Sequence, residues 1–265
     1  MNPDLVLIER RGSAGVLTLN RPEKRNALSR ALVAALGGRV AEAVSDLAVR
    51  VVVLAANGPV FCAGLDLDEL AELIKLPNAR DAMQQGARQL AAVYRALATC
   101  AKPTIAAVHG PAVAGGAGLV TACDLAIATP RAKFGYPEVR RGILPAIITP
   151  MLLRLVSLRD AKHLLLSGNM IEAEEAARIG IYNQVADQQS LDDVVRRWVH
   201  DLASGGPETL AGSKQWIDRC AGTVDLWMES ADASAAARFT AECDEGIAAF
   251  QEKRPPRWTP PELQS

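Results

Sequence analysis

Two continuous apolar runs, each followed by a glycine-containing loop and then by a helical pattern, constrain the fold of this chain most. The runs are Val51–Ala55 and Thr104–Val108, and they have the composition of strands that are buried on both faces. The loops that follow them are Phe61–Leu67 and Gly110–Gly118. Because strand, loop and helix recur without a strict period, the sequence predicts an α/β domain.

The last quarter of the chain carries helical patterns and no strand pattern. Helices are predicted over Leu191–Leu202, Pro207–Cys220 and Leu226–Phe250. The sequence therefore predicts two regions, a core over residues 1–200 and a helical region over residues 201–265.

Composition excludes several classes of function. The formal net charge of the 265 residues is -1, so no overall field attracts nucleic acid or an anionic membrane. No segment approaches the run of about 20 apolar residues that crosses a membrane. The charged start MNPDLVLIERRG does not fit a signal peptide, so we expect a cytoplasmic protein. The five cysteines and three histidines show no metal-ligand spacing, so we expect no metal site.

The two glycine loops are candidates for binding a negatively charged oxygen. Glycine allows backbone N–H groups to converge on one point, and a helix that starts there adds free N–H donors. Two such loops in contact would form an oxyanion hole, although tight packing or another anion would also explain the glycines. The sequence argues against three rival sites, since it has no third glycine of a dinucleotide motif after Gly118, no Walker lysine and no G-x-S-x-G elbow.

Glu138 is the candidate acid or base. It follows Pro137 on a rigid loop, near the apolar stretch Gly142–Ile148. Apolar surroundings raise the pKa of a carboxyl group and make it useful for proton transfer near neutral pH. The alternative is a surface glutamate that pairs with Arg140 or Arg141.

Four segments together resemble the crotonase (enoyl-CoA hydratase/isomerase) family, in the order and spacing of that family. They are Asn20–Ser29, Phe61–Asp66, Lys102–Asp124 and Phe134–Pro145. The resemblance implies a crotonase-like spiral of ββα units with a helical C-terminal subdomain that serves in trimer assembly, and trimers that pair into hexamers. It also implies a coenzyme A thioester as substrate, with no metal and no cofactor besides the coenzyme A that the substrate carries.

The family resemblance also suggests roles for individual residues. The oxyanion donors would be the N–H groups of Leu65 and Gly115, and Glu138 would move the proton. Substrate-binding positions carried over in the same way are Arg25, Ala27, Ala63, Asp66, Leu67, Gly116, Gly118, Phe250 and Lys253.

Gly118 is the main departure from the family pattern. Hydratases of this family that use two glutamates have the first acid at this position, and only the second is present here, as Glu138. One carboxylate suffices for a Δ3-Δ2 enoyl-CoA isomerase. However, Glu138–Pro150 resembles a branch of bacterial hydratases that act on branched glutaconyl-type thioesters and also lack the first acid. We therefore predict an enoyl-CoA hydratase, with an isomerase or a non-catalytic acyl-CoA-binding protein as alternatives.

Overall fold

The computed structural model describes residues 5–221 and 227–257. In chain order the strands are β1 (Val6–Arg11), β2 (Ala14–Leu19), β3 (Val51–Ala56), β4 (Thr104–Val108), β5 (Ala112–Val113), β6 (Leu125–Ala128), β7 (Phe134–Gly135), β8 (Met170–Ile171) and β9 (Gln184–Val185). The helices are α1 (Arg30–Ser45), α2 (Leu67–Leu73), α3 (Ala79–Thr99), α4 (Gly115–Ala122), α5 (Thr149–Leu155), α6 (Leu158–Ser167), α7 (Ala173–Arg178), α8 (Leu191–Ala203), α9 (Pro207–Cys220), α10 (Trp227–Ala237) and α11 (Ala241–Gln251).

A six-stranded sheet in the order β1-β2-β3-β4-β6-β9 forms the frame of the molecule. The hairpin β1–β2 is antiparallel, and every later pair in this sheet is parallel. A second, three-stranded sheet has the order β5-β7-β8. The parallel order brings the carboxyl ends of β3 and β4 to the same edge, so the two glycine loops start side by side.

Both faces of the large sheet are covered, as the unbroken apolar runs predict. On one face Leu54 and Ala106 belong to the core that includes the buried residues of α1 and α3. On the other face Val53 and Ile105 pack with the apolar side of α8. Burial of β4 and of the first four residues of β3 fixes the points from which the glycine loops emerge.

Two predicted helices differ from the structure. The predicted helix over Leu226–Phe250 is two helices, because Thr240 caps α11 by accepting a hydrogen bond from the backbone N–H of Cys243. The helix expected from Leu119 begins earlier, at Gly115, since the buried position of α4 outweighs the low helix propensity of its glycines. The predicted boundary at residue 200 stays a prediction, and parts of the C-terminal region, 222–226 and 258–265, lie outside the described residues.

Helix α10 packs against α3 and is attached to it by charged groups. Asp232 accepts hydrogen bonds from the side chains of Gln84 and Arg88, at 3.0 and 2.8 Å. The C-terminal region therefore packs directly on α3. Among the described helices, none combines the length and the apolar character that crossing a membrane requires.

Candidate active site

The two glycine loops are in direct contact. Gly64 has a φ of +83°, and a Cβ atom there would lie 2.7 Å from the Cβ of Ala114 and 3.2 Å from the backbone nitrogen of Gly115. Residues Cys62 and Ala112 pair in an isolated parallel bridge beside this contact. Glycine at position 64 is therefore required both by the backbone conformation and by the close approach of the second loop.

Two backbone amides at this contact have no acceptor. Leu65 and Gly115 carry N–H groups that donate to no atom of the described residues. Gly115 is the first residue of α4, so the positive end of the helix dipole adds to its N–H. Ala114, just before it, adopts a φ of 53° and a ψ of -122°, which a residue with a Cβ atom adopts only under strain. Such a pair of unsatisfied donors can stabilise one oxyanion.

A cavity of about 500 Å³ opens beside these amides. We call its exposed charged and aromatic lining the mouth, which comprises Glu23, Lys24, Arg25, Asp68 and Phe250. We call its buried lining the inner end, which comprises Leu90, Tyr94, Ile143, Ile147, Ile148, Ser234 and Arg238. This division suits a ligand with a charged, solvated part and a smaller apolar part.

Glu138 also lines this cavity, from the short 3-10 helix Pro137–Arg141. Its Oε2 atom is buried and has no hydrogen-bond partner. Burial raises the pKa of Glu138 to about 7, and the nearby guanidinium groups of Arg141 and Arg238 oppose the rise only in part. The carboxyl group can therefore accept and return a proton near neutral pH.

The surface alternative for Glu138 does not apply. Arg140 donates to the carbonyl oxygen of Ser167 and to the side chain of Asn169. Arg141 lies over the ring of Phe250, with its guanidinium carbon 5.0 Å from the ring centre. Neither arginine forms an ion pair with Glu138 among the described residues.

The position of the missing first acid is filled. A Cβ atom at Gly118 would lie 2.6 Å from the hydroxyl oxygen of Tyr94 and 2.6 Å from Cγ2 of Ile148. Under about 3 Å such contacts force the surrounding side chains to move. The glycine at 118 is therefore tied to the tyrosine at 94, and the loss of the acid leaves no empty space.

The cavity brings together most, but not all, of the residues predicted for the site. Those that line it are Arg25, Ala27, Ala63, Leu65, Asp66, Leu67, Gly115, Glu138 and Phe250. Gly116 lies behind the loop, where a Cβ atom would meet the carbonyl oxygen of Cys62 at 2.4 Å. Gly118 is buried against Tyr94, and the exposed Lys253 does not reach the cavity lining. The ligand contacts predicted for these three residues stay predictions.

Asp66 lines the cavity, yet its carboxylate is engaged within the protein. It accepts a hydrogen bond from Arg21 at 2.6 Å and caps α2 through the N–H groups of Asp68 and Glu69. These contacts hold the pKa of Asp66 below its usual range against the effect of its burial. Its position therefore favours a structural contribution to the first loop.

Sequence reasoning missed the polar groups of the inner end. Tyr94 lies on α3 among the residues of the hydrophobic core, and Ser234 and Arg238 lie far along the chain in a region predicted to serve assembly. Arg238 is only 7% exposed, and its Nε atom has no partner. A charged residue inside the predicted helix Leu226–Phe250 was the only signal available.

Comparison with known proteins agrees with this geometry. The family model described as "Enoyl-CoA hydratase/isomerase" matches residues 9–261. The chain belongs to this family. Curated relatives named as enoyl-CoA hydratases match more than 90% of the length of this chain.

Three relatives illustrate the similarity. The short-chain-enoyl-CoA hydratase of Clostridium acetobutylicum is 34% identical over 254 residues, which cover 94% of this chain and 95% of the relative. The crotonyl-CoA hydratase of Syntrophomonas wolfei is 35% identical over 253 residues, with coverage of 94% and 95%. The crystal structure of an enoyl-CoA hydratase from Mycobacterium avium is 40% identical, with a TM-score of 0.86 and coverage of 96% and 99%. The predicted crotonase-like fold is thereby confirmed, and the hydratase-type reading of the enzyme is supported.

Proposed function

We propose that this protein is a lyase that adds water across the 2,3 double bond of an enoyl-CoA. The observation that carries the proposal is the buried, unpartnered Oε2 of Glu138 in the same cavity as the free N–H groups of Leu65 and Gly115. An oxyanion hole and one proton-transfer group are the parts that hydration of a conjugated thioester needs.

The thioester carbonyl would lie with its oxygen between these two amides. Their hydrogen bonds draw electron density from C3 and stabilise the negative oxygen of the enolate that forms. Glu138 removes a proton from a water molecule, and the water oxygen adds to C3. The same carboxyl group then returns the proton to C2, and the carbonyl re-forms. One carboxyl group therefore serves both proton transfers.

The mouth suits the coenzyme A part of the substrate. Lys24 and Arg25 are exposed cations at its rim, and Phe250 offers an aromatic face that Arg141 already contacts from one side. Cations at the rim favour phosphate groups, and an aromatic face favours the adenine ring. No further cofactor is part of the proposal. A cytoplasmic homotrimer, or a dimer of trimers, is the assembly that we expect.

The inner end suits an acyl chain that carries an anionic group. Within the described part of the chain, the guanidinium of Arg238 has one hydrogen bond, a weak one at 3.4 Å to the hydroxyl of Ser234. The ionisable groups that affect it are Cys243, Tyr94 and Glu138, and burial keeps the first two neutral. Glu138 is engaged in proton transfer and offsets the cost of burying this cation only in part, so a carboxylate on the acyl chain would complete the site.

A direct assay tests the proposal. The purified protein is given a trans-2-enoyl-CoA and, separately, a trans-3-enoyl-CoA, and the products are followed by mass and retention. We expect the 2-enoyl substrate to gain the mass of one water. Conversion of the 3-enoyl substrate to the 2-enoyl form without hydration would identify an isomerase instead. No product from either substrate, together with tight binding of both, would identify a non-catalytic acyl-CoA-binding protein.

A further inference from the structure

Tyr94 is a fully buried polar residue to which the mechanism above gives no role. It lies on α3 and lines the cavity, and its hydroxyl donates a hydrogen bond to the carbonyl oxygen of Gly115 at 2.6 Å. The N–H group of this same Gly115 is one of the two proposed oxyanion donors. The phenol oxygen therefore contacts the first turn of α4, beside the proposed reacting centre.

The hydroxyl of Tyr94 also occupies the space from which the first acid of two-glutamate relatives would extend. A side chain at position 118 would start 2.6 Å from this oxygen and 2.8 Å from the ring carbon that bears it. A hydroxyl group from a different helix therefore lies where a side chain at position 118 would begin.

A neutral phenol at this place can hold a water molecule. Burial keeps the pKa of Tyr94 well above its usual value, and the charge of Glu138 adds to the rise. The hydroxyl therefore keeps its proton, which it donates to Gly115, and its lone pairs remain free to accept a hydrogen bond. Glu138 is close enough to influence Tyr94 electrostatically, and both groups line the same cavity.

We propose that Tyr94 takes over the water-holding task of the missing first acid. Its hydroxyl oxygen accepts one hydrogen bond from the attacking water, and the carboxylate of Glu138 accepts the other. This assignment rests on the proposed hydration reaction. Tyr94 itself transfers no proton. Glu138 removes the water proton that is hydrogen-bonded to its carboxylate, and the water oxygen bonds to C3. The electron pair of the C2–C3 double bond shifts toward the carbonyl, which leaves the negative charge on the thioester oxygen. The carbonyl re-forms when C2 takes that proton back from Glu138.

The first test compares Tyr94→Phe with Tyr182→Phe. Tyr182 is the matched control, because it is also buried, donates to a backbone carbonyl at 3.3 Å and lies outside the cavity lining. We expect Tyr94→Phe to lower kcat for hydration by about 10- to 100-fold, because the attacking water loses the hydrogen bond that positions it for reaction with C3. The dissociation constant of butyryl-CoA, which cannot be hydrated, should stay within about twofold. Tyr182→Phe should change neither quantity by more than about twofold.

Two results would overturn the assignment while hydration by the wild type stands. One is a kcat for Tyr94→Phe equal to that of Tyr182→Phe. The other is a loss of butyryl-CoA affinity as large as the loss in kcat, which would indicate that the tyrosine only supports the loop. A wild-type protein that hydrates no enoyl-CoA would instead reject the proposed function, and the assignment with it.

A second test exchanges the two groups. Gly118→Glu alone should be almost inactive, because the new side chain collides with Tyr94. Tyr94→Ala should also be slow, because it loses the water contact. The triple variant Tyr94→Ala/Ile148→Ala/Gly118→Glu removes both side chains that crowd position 118 and supplies an acid, so we expect it to be at least about tenfold faster than Tyr94→Ala/Ile148→Ala. A folded triple variant that is no faster than Tyr94→Ala/Ile148→Ala would contradict the proposal.

Discussion

The inner end and the mouth of the cavity differ in the burial and the pairing of their polar groups. At the inner end Arg238 has a buried Nε atom without a hydrogen-bond partner, and Glu138 beside it has a buried Oε2 atom without one. At the mouth Lys24 is exposed and paired with Asp68 at 2.9 Å. A buried group without a partner interacts strongly with whatever the substrate brings, whereas an exposed pair exchanges easily with water. Substitutions at the inner end should therefore change chemistry, and substitutions at the mouth should change only affinity.

Replacement of the acid should have the largest effect. We expect Glu138→Gln to lower kcat for hydration by about 10³- to 10⁴-fold, because the amide can neither remove nor return the proton. The affinity for coenzyme A should be nearly unchanged. Glu172→Gln is the control, since Glu172 is exposed and paired with Lys133 outside the cavity. Turnover of Glu138→Gln at the wild-type rate would remove Glu138 from the mechanism.

The pH dependence sharpens this test. Because the pKa of Glu138 is about 7, kcat/KM should fall about tenfold for each pH unit below 7 and level off above it. Between its ordinary value of 4.5 and about 7, Glu138 binds more protons in the folded protein than in the unfolded chain. The contribution of Glu138 to the free energy of unfolding is therefore most favourable below pH 4.5, and it decreases as the pH rises to 7. Glu138→Gln should remove that fall, which is about 3 kcal/mol and measurable by urea unfolding.

Loss of one oxyanion donor should rank second. Gly115→Pro removes the N–H group at the first residue of α4, a position where helices accept proline. We expect kcat to fall by about 10²- to 10³-fold. Binding of free coenzyme A at the mouth serves as the control for folding. A variant that binds coenzyme A and hydrates at the wild-type rate would exclude this amide as a donor.

The buried arginine should set the choice of acyl chain, with an intermediate effect. We expect Arg238→Met to lower kcat/KM about 10- to 100-fold for a 2-enoyl-CoA that ends in a carboxylate. For a neutral 2-enoyl-CoA of the same length the change should stay within about threefold. Arg159→Met, at an exposed position on α6, controls for loss of a positive charge. Equal losses on both substrates would indicate that Arg238 has only a structural role.

The smallest effect is expected at the mouth. Lys24→Ala should raise KM by no more than about threefold and leave kcat unchanged, because an exposed cation contributes little in water. The change in KM should also shrink as the salt concentration rises. A fall in kcat comparable to that of Tyr94→Phe would break the distinction between mouth and inner end.

Features that depend on neighbouring residues were predictable from the sequence. The apolar runs of β3 and β4 have the burial that their composition requires, and Ser29 caps α1 by accepting from the N–H of Leu32. The contact between the two glycine loops follows from the parallel order of their strands. Resemblance to the family led to Glu138 and to the amides of Leu65 and Gly115, and the structure brings these groups to one cavity.

Features that depend on distant residues were not predictable. The space beside Gly118 is filled in part by Tyr94, which lies 24 positions earlier in the chain. The sequence of an amphipathic helix does not show which cavity a buried tyrosine on it lines. Arg238 reaches the inner end only because the predicted helix is interrupted before Thr240 and because α10 is fastened to α3. A pattern of helical periodicity carries neither piece of information.

The attachment of α10 to α3 has a consequence for the order in which the site is completed during synthesis. The glycine loops and Glu138 leave the ribosome well before Ser234 and Arg238, since chains emerge from the N-terminus. Until Asp232 reaches Arg88, the chain has its acid and its oxyanion loops but no wall on the α10 side. In that interval the cavity is open to water on the α10 side. The cavity is therefore closed only when the C-terminal helices pack on α3.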